Sequence, residues 1–362
     1  VPPRLVEGMS VLCRCDQAMG HSHSAESLCL VLDVDANKDP KALAGVCAED
    51  DETASDTSAS ADSDSEVLNS PLCGSFAQYK AARFHFAPAN GWHPDLRKMH
   101  CSAQNTMEWD GKGPVPVAPD DCWLLPTSDK MSVRIARHQS ELVKAGWKLL
   151  TCNPVTVSRL SNKAKLFKHA RSLGIDSALP QHYASPEVAA YPCILKAAVG
   201  QHGKDVYIVN SSKEVRDITT DGFGVKWLLQ EMVVGSMEYS TSLLVVAGRI
   251  VDAICTEYEY DGTAYVWPNV DEISRRSHSD IPRTHLDTMR SFLADYSGIC
   301  NFNYKVRPSG GICVFEINTR VGADLACDVP RRRARELFQK LDELAPQRRQ
   351  GQPRNRTRRE AN

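Results

Sequence analysis

The fold is decided by the residues Val314-Phe315-Glu316-Ile317-Asn318-Thr319-Arg320-Val321-Gly322, which turn from apolar to polar within one short stretch. Side chains alternate between the two faces of a strand. The sequence therefore predicts two sets of residues that each share a face: Ile312, Val314, Glu316 and Asn318, and Cys313, Phe315 and Ile317. A carboxylate beside a carboxamide, followed by an arginine and a glycine, is a group suited to Mg²⁺ and phosphate.

A hairpin is predicted from the residues before this strand. Residues 302–307 have the pattern of a second strand, and Pro308-Ser309-Gly310-Gly311 has the composition of a tight turn. A four-residue loop would place three pairs opposite each other: Arg307 and Ile312, Asn303 and Glu316, and Asn301 and Asn318. One face would then present oxygen donors from both strands. The alternative is an exposed polar face, which is common on antiparallel sheets.

The composition bounds the class of protein. A chain of 362 residues has room for two or three domains, each with its own core. Hydrophobic residues make up 42% and charged residues 24%, as in ordinary soluble globular proteins. The net charge of −2 gives no reason to expect nucleic acid as a partner. Without a run of about 18 apolar residues, no membrane span is expected.

The cysteines favour a reducing compartment. There are 13 of them, an odd number without regular spacing, which favours free thiols and a cytoplasmic location over a disulfide framework. Cys13 and Cys15 with His21 and His23 match no common zinc spacing, so we interpret them as scattered residues.

The first part of the chain has the pattern of a parallel α/β domain. Leu28–Val34 is a continuous apolar run typical of a buried strand. A βαβ unit follows at Asp121–Leu125 (strand), a helix capped by Thr127 or Ser128 and ending near Ala145, and Trp147–Cys152 (strand). The helix should bury Met131, Ile135, Leu142 and Val143. Between these strands, residues 49–70 are acidic and polar, and we expect a disordered insertion.

The second part alternates short helices with many strands. Ser161 can cap a helix over Asn162–Leu173, and Thr284 can cap another that ends at Gly298. Five strands are predicted: Tyr191–Ala197, Val206–Val209, Trp227–Met232, Ser242–Val246 and Ile250–Tyr258. Residues 344–362 are rich in Gln, Arg and Pro, and a disordered basic tail is expected there.

Five motifs in order resemble those of one superfamily. They are Asn162-Lys163 at a helix start, Lys196 at a strand end, Gly200-Gln201-His202-Gly203-Lys204, residues 230–240 (Gln-Glu-Met-Val-Val-Gly-Ser-Met-Glu-Tyr-Ser), and Glu316-Ile317-Asn318-Thr319-Arg320. Together they resemble the ATP-grasp superfamily, and within it the carboxylate–amine or carboxylate–thiol ligases, over about residues 120–340. Each motif alone is weak evidence, whereas five in order are specific.

The resemblance implies a domain organisation. Residues 1–152 would be a Rossmann-like α/β domain that precedes the ATP-grasp domain. Residues 153–343 would be the α+β ATP-grasp domain itself, built of two subdomains, with a lid at about 190–230. The implied cofactors are ATP and Mg²⁺ or Mn²⁺, and the implied partners are a small carboxylate and an amine.

The resemblance also implies roles for individual residues. Lys163 and Lys196 would bind phosphate, with a solvated surface lysine as the alternative. Gly200 and Gly203 would close backbone N–H groups over the phosphates. The other implied roles are adenine binding by the hinge (Gln230, Glu231, Met232, Val233), ribose binding by Glu238, metal ligation by Glu316, Asn318 and Asn303, and contact of Arg320 with the γ-phosphate or the substrate carboxylate.

The resemblance predicts an ADP-forming ligase, with two alternatives. The enzyme would phosphorylate a carboxylate to an acyl phosphate and couple it to an amine. The superfamily usually has an acid at the position of Asn303, so a nucleotide-binding pseudo-enzyme or regulatory module is one alternative. A carboxylase of the same superfamily is the other. Arg275 and Arg276 could hold an acidic substrate, although a salt-bridged surface pair is the favoured interpretation.

Overall fold

A computed structural model describes residues 84–87, 107, 109–198, 205–220, 222–224 and 226–344. All of these belong to one compact unit, residues 56–362. The predictions for the strand at 28–34, the acidic insertion, the N-terminal Cys and His residues, Gly200, Gly203 and the tail beyond Leu344 lie outside the described residues. Within the described part, no helix is long and apolar enough to cross a membrane.

Two parallel strands begin the described part of the chain. Strand β1 (Phe84–Ala87) pairs with β2 (Trp123–Pro126) in parallel, and Trp123 forms a further parallel bridge to Lys148. The connection from β2 to Lys148 contains the predicted helix, so the βαβ unit is present. The strand predicted at Trp147–Cys152 is wrong in extent, because only the bridge at Lys148 forms.

The predicted helix after β2 is divided in two. Ser128 caps α1 (Asp129–Arg137) by accepting a hydrogen bond from the Met131 N–H. It is one of the two caps predicted from the sequence. The chain turns at His138 and continues as α2 (Gln139–Lys144). Val143 is 54% exposed on α2 and does not join the predicted apolar side, because the turn at His138 changes the phase of the helix.

Helices α3 (Pro154–Ser161) and α4 (Lys163–Ser172) follow. Helix α3 was not predicted, although Asn153-Pro154 carries the signal of a helix start: the Asn153 side chain accepts from the Val155 N–H. Ser161 ends α3 and does not cap α4. The cap is Asn162, which accepts a hydrogen bond from the Lys165 N–H at 3.0 Å.

A small antiparallel sheet occupies the region predicted as a lid. Its strands are ordered β3-β6-β4-β5: β3 (His182–Tyr183), β6 (Trp227–Glu231), β4 (Cys193–Ala197) and β5 (Val206–Val209). Helix α5 (Ser212–Ile218) packs on it through Val215. The sheet therefore has a core of its own, made of Cys193, Leu195, Val209, Val215 and Leu229.

A larger antiparallel sheet follows, with the strand order β11-β10-β7-β8-β9. The strands are β7 (Met237–Val246), β8 (Arg249–Tyr260), β9 (Glu272–His278), β10 (Gly298–Val306) and β11 (Ile312–Asn318). Strand β9 was not predicted. Helix α6 (Arg283–Phe292) lies between β9 and β10, and α7 (Arg331–Glu343) follows β11. Pro282 precedes the first residue of α6, so the predicted cap at Thr284 is wrong.

The hairpin β10–β11 has the predicted register at its polar end. Asn301 pairs with Asn318, and Asn303 pairs with Glu316. Near the turn the prediction is wrong, because Val306 and not Arg307 is opposite Ile312. A bulge between these regions, at Phe315, compensates for the longer loop.

The bulge also changes the faces of β11. Val314 pairs with Tyr304, whereas Glu316 pairs with Asn303, so Val314 and Glu316 lie on opposite faces. The predicted common face of Ile312, Val314, Glu316 and Asn318 is therefore wrong for the first two residues. Ile312 and Val314 instead pack in the hydrophobic core that includes α6, together with Ile317. The polar face keeps Glu316 and Asn318.

Candidate functional site

Glu316 is the centre of the polar face of the large sheet. Its Oε2 lies 2.9 Å from the Nζ of Lys163, the first residue of α4. Lys163 occupies that position because Asn162 caps the helix directly before it. A cation from a helix and a carboxylate from a strand thus meet in a partly buried ion pair.

Two carboxamides hold the other oxygen of Glu316. The Nδ2 of Asn303 donates to Glu316 Oε1 at 3.0 Å, and the Nδ2 of Asn318 donates to the same atom at 3.3 Å. The Oδ1 of Asn303 in turn accepts from the Ser240 hydroxyl at 3.0 Å. The three residues implied as metal ligands therefore lie together. The amide nitrogens of Asn303 and Asn318 face the carboxylate of Glu316.

Lys196 approaches the same centre from the small sheet. It is only 6% exposed, and its Nζ lies 3.4 Å from the carbonyl oxygen of Phe315, the bulged residue of β11. Burial, and next the positive charge of Lys163, lower the pKa of Lys196 to about 7, although Glu316 acts in the opposite direction. Lys163, Lys196 and Glu316 thus form one electrostatic cluster drawn from a helix and two sheets.

Glu316 is ionised throughout the physiological range. Burial alone would raise the pKa of its carboxyl group, but the charge and hydrogen bond of Lys163, and the charge of Lys196, lower it to about 2. One carboxylate with two lysines leaves the cluster with excess positive charge while Lys196 is protonated. Such a cluster attracts a polyanion such as a polyphosphate.

A buried polar network continues from this centre along the sheet. The Nδ2 of Asn301 donates to the Ser240 hydroxyl at 2.8 Å and to Asp324 Oδ2 at 3.1 Å, and Ser242 donates to the same carboxylate at 3.0 Å. Burial raises the pKa of Asp324. A Cβ on Gly322 would lie 2.0 Å from Asp324 Oδ1, so a larger residue there would displace the Asp324 carboxylate. Sequence reasoning missed Asp324 and Ser242, which belong to none of the five motifs, whereas Ser240 ends the motif at residues 230–240.

Arg320 lies beside Asp129, the first residue of α1. The Arg320 Nε is 3.8 Å from Asp129 Oδ2, and Asp129 Oδ1 accepts hydrogen bonds from the backbone N–H and the hydroxyl of Thr319. Burial raises the pKa of Asp129, while Arg320 and Thr319 oppose that shift. Sequence reasoning missed Asp129, because an acid in the first turn of a helix is common for electrostatic reasons alone.

The predicted hinge, residues 230–233, consists of the last two residues of β6 and the two that follow. Gln230 is buried and lies between His182 and Ile194 of the neighbouring strands. The carboxylate of Glu231 forms a two-fold ion pair with Arg307, at 2.6 and 2.7 Å. Hydrogen bonding to Arg307 lowers the pKa of Glu231. The Glu231 side chain thus ties the hinge to Arg307, and the Glu231 backbone N–H donates to the carbonyl oxygen of Gln181 at 2.8 Å.

Lys305 fixes the end of the hinge, and sequence reasoning did not foresee it. Its ammonium group donates to the carbonyl oxygens of Val233, at 3.3 Å, and Gly235, at 2.7 Å, and it lies 4.0 Å from the ring centre of Tyr265. The Tyr265 hydroxyl donates to Glu238 at 3.2 Å. Burial raises the pKa of Glu238, and Lys305 opposes the shift. Met232 is partly buried.

His182 is a further residue near Lys196. Its ring stacks on Phe167 of α4, with ring centres 3.8 Å apart. Burial, and then the charge of Lys196, lower the pKa of His182 to about 4, so the imidazole is neutral at physiological pH. The stack joins α4 to the small sheet.

The two arginines considered for an acidic substrate are salt-bridged, as favoured from the sequence. Arg275 contacts Glu272 and Asp328, and Arg276 lies 3.6 Å from Glu257. Arg276, Glu257 and His278 also line a cavity of about 660 Å³ on the opposite face of the large sheet. That cavity contains none of the residues that the resemblance implies.

The donor set fits a cation that is delivered with phosphate. Among the described residues, no group of three or more His, Cys, Asp and Glu side chains could hold a metal ion. Glu316 is one carboxylate with two amide groups at its side. Mg²⁺ is often held by one or two carboxylates together with substrate phosphates and water. Glu316, with the carboxamides of Asn318 and Asn303 beside it, fits a cation of this kind if phosphate and water supply the other ligands.

Comparison with solved structures found ligases and carboxylases. An L-amino acid ligase from Bacillus licheniformis is 12% identical, with a TM-score of 0.46 over 60% of this chain and 55% of that one. D-alanine–D-alanine ligase from Bacillus anthracis is 14% identical, with a TM-score of 0.48 over 72% and 95%. Carboxyaminoimidazole ribonucleotide synthase from Aspergillus clavatus, complexed with ATP, is 14% identical, with a TM-score of 0.44 over 66% and 63%.

The chain is similar to these three structures over part of its length, each at a TM-score below 0.5. It spans 55% and 63% of the length of the first and the third of them. No protein-family model and no curated protein matches the sequence.

Proposed function

We propose that this protein is an ATP- and Mg²⁺-dependent ligase that joins a small carboxylate to an amine and releases ADP and phosphate. The observation that carries the proposal is the convergence of Lys163 and Lys196, from two separate elements, on Glu316. Phosphoryl transfer depends mainly on positioning and on neutralising the charge of the phosphates. Two lysines beside one carboxylate supply both of these requirements.

The first step forms an acyl phosphate. An oxygen of the substrate carboxylate attacks the γ-phosphorus, the bond from that phosphorus to the β–γ bridging oxygen breaks, and ADP leaves. The bound cation, held by Glu316 with Asn318 and Asn303, would neutralise charge on the phosphates. Lys163 and Lys196 would hold the phosphate oxygens, and Arg320 would orient the γ-phosphate or the substrate carboxylate.

The second step forms the amide bond. The nitrogen of a neutral amine attacks the acyl carbon, the bond from that carbon to the phosphate oxygen breaks, and phosphate leaves. The amine loses a proton in the process. The nucleotide base would lie along the hinge, residues 230–233, and the ribose near Glu238, with Lys305 keeping the hinge carbonyls in place.

The test is a screen for ADP release with Mg²⁺, amino acids and small carboxylic acids. We expect ADP, and not AMP, when the right carboxylate and amine are present. Glu316→Ala should abolish that release while the far-ultraviolet circular dichroism stays unchanged. Full activity of this variant would contradict the proposal, and dependence of ADP release on bicarbonate alone would indicate a carboxylase instead.

A second candidate function is a nucleotide-binding module without turnover. The observation that favours it is Asn303, which adds no charge to the cation site and whose Nδ2 faces Glu316. In that case, ATP would raise the unfolding temperature but no pair of substrates would yield ADP. The same screen, combined with thermal unfolding, distinguishes the two functions.

A further inference from the structure

We infer that Lys163 acts as a resident cation on Glu316, so that the site accepts a divalent metal only after a nucleotide has drawn Lys163 away. This inference rests on the proposed function and adds an order of binding to it. The Lys163 Nζ lies 2.9 Å from Glu316 Oε2, a distance at which the ammonium group blocks that oxygen. The ion pair is partly buried, so solvent screens it incompletely.

The second oxygen of Glu316 is also occupied by donors. Asn303 and Asn318 both direct their amide nitrogens at Glu316 Oε1. An amide nitrogen cannot ligate a cation, so each carboxamide must turn before its oxygen reaches the site. The oxygen of Asn303 is meanwhile bound by the Ser240 hydroxyl. In the ligand-free protein, both carboxylate oxygens of Glu316 therefore have donor partners.

The charges in the cluster do not attract a free cation. Glu316 contributes one negative charge, and the ion pair with Lys163 already neutralises it. A divalent cation arriving alone would therefore meet no net attraction. A nucleotide polyphosphate arriving first would meet attraction, and its oxygens offer Lys163 a replacement for Glu316.

Once the phosphates hold Lys163, the state of Glu316 changes. Its Oε2 loses its partner, and a buried carboxylate without a partner is costly. A cation then binds at lower cost, because it satisfies Glu316 and the phosphates together. Binding of nucleotide and binding of metal should consequently be positively coupled, and the coupling should be reciprocal. Lys163 is the residue that makes the coupling strong.

Mn²⁺ serves as the probe, and its electron paramagnetic resonance signal reports the free ion. The protein alone should show no saturable Mn²⁺ binding below about 1 mM, a weak-binding regime of only about 4 kcal/mol. With saturating ADP, one Mn²⁺ per chain should bind, beyond what ADP binds in a protein-free control. Saturable binding to the nucleotide-free protein, as tight as in the presence of ADP, would overturn the inference.

The variant Lys163→Met tests the part played by this residue. Removal of a positive charge beside Glu316 should raise the affinity of the nucleotide-free protein for Mn²⁺ by roughly tenfold or more. Lys163→Gln provides a second variant of similar length, and thermal unfolding verifies that both are folded. Lys165→Met is the matched control, because Lys165 lies on the same helix but is exposed and bonds to Ser158. Equal Mn²⁺ affinity in the wild type and both Lys163 variants would contradict the inference.

Failure of the inference is distinct from failure of the proposed function. If neither ATP nor ADP raises the unfolding temperature, with or without Mn²⁺, the proposed function is wrong. If a nucleotide binds but Mn²⁺ binds equally well without it, only the order of binding is wrong.

Discussion

Asp129 accepts a hydrogen bond of 2.7 Å from the backbone N–H of Thr319, so the first turn of α1 fixes the residue that follows β11. The same carboxylate also accepts from the Thr319 hydroxyl at 3.2 Å, and it lies 3.8 Å from the Arg320 guanidinium. The Ser132 hydroxyl donates to the Thr319 carbonyl from the next turn of α1. The position of Arg320 therefore depends on a helix almost two hundred residues earlier in the chain.

We expect Asp129→Asn to lower the rate of ADP release while the fold is kept. The amide oxygen can still accept from the Thr319 N–H, but the charge that holds Arg320 is lost. Misplacing a positioning group by about 1 Å can lower a rate about 100-fold, and we expect an effect up to that size on kcat. Steady-state kinetics with the substrates found in the screen provide the measurement.

The control for Asp129 is Asp287→Asn. Asp287 pairs with Arg290 and Arg283 on the exposed side of α6, where an ion pair contributes little. This variant should leave kcat and thermal unfolding unchanged. If Asp129→Asn also leaves kcat unchanged, Asp129 does not position Arg320.

A second prediction concerns the ion pair of Glu231 and Arg307, which joins the small sheet to the large one. Glu231→Gln replaces a two-fold, charge-assisted contact by a weaker one and should lower the free energy of unfolding by about 1.5–3 kcal/mol. The hydrogen bond to Arg307 lowers the pKa of Glu231 below its ordinary value of 4.5. The stabilisation is therefore fully present above pH 4.5 and is lost as the pH falls through the folded-state pKa.

Urea unfolding at pH 7 and at successively lower pH values measures both parts of this prediction. The difference between the wild type and Glu231→Gln should become smaller as the pH falls below about 4.5. Glu187→Gln is the matched control, because Glu187 pairs with Arg216 on the exposed surface. A difference that stays constant with pH would show that the ionised carboxylate is not what stabilises the wild type.

The polar hairpin could be predicted from the sequence because its signals are local. A turn rich in glycine and an alternation of polar and apolar residues were enough to pair Asn303 with Glu316. The bulge at Phe315 was not predictable, since a bulge inserts one residue without a sequence signal of its own. The error in the loop and the missed bulge offset each other, which left the register at Glu316 correct and the face of Val314 wrong.

Other parts of the site depend on contacts between distant segments. Asp129 and Lys305 act on the loop after β11 and on the hinge, which are distant from them in sequence. No spacing rule connects an acid in the first turn of a helix to an arginine in another element. Motif order identified Lys163 and Lys196, whereas their convergence on Glu316 required the packing of α4 and the small sheet on the large one.

A third prediction uses the pKa of Lys196, which burial and Lys163 lower to about 7. At pH 8, most of the free protein has a neutral Lys196. A bound polyphosphate would raise this pKa by supplying negative charge, so ADP binding at pH 8 should take up as much as about one proton. Calorimetry in buffers of different ionisation enthalpy counts the protons. The affinity for ADP should fall, by up to about tenfold per pH unit, as the pH rises above 7.

Two variants separate Lys196 from other titrating groups. Lys196→Gln should bind ADP more weakly and take up no proton through this site. Lys168→Gln changes an exposed lysine on α4 and should behave like the wild type. Proton uptake that persists in Lys196→Gln would assign the titration to a different group.

The last prediction concerns Asn303, which stands where an acid is usual in the superfamily that the motifs resemble. Asn303→Asp would place a second carboxylate beside Glu316 and remove the hydrogen bond of 3.0 Å from the Asn303 amide. Without a metal, repulsion between the two carboxylates should lower the unfolding temperature. In the ADP complex, the added charge should tighten Mn²⁺ binding by roughly tenfold, because affinity for such cations increases with the charge of the ligands. Mn²⁺ should therefore raise the unfolding temperature of the variant more than that of the wild type. Asn269→Asp, in an exposed loop, controls for the change in net charge, and equal Mn²⁺ affinity in Asn303→Asp and the wild type would show that Asn303 lies outside the cation site.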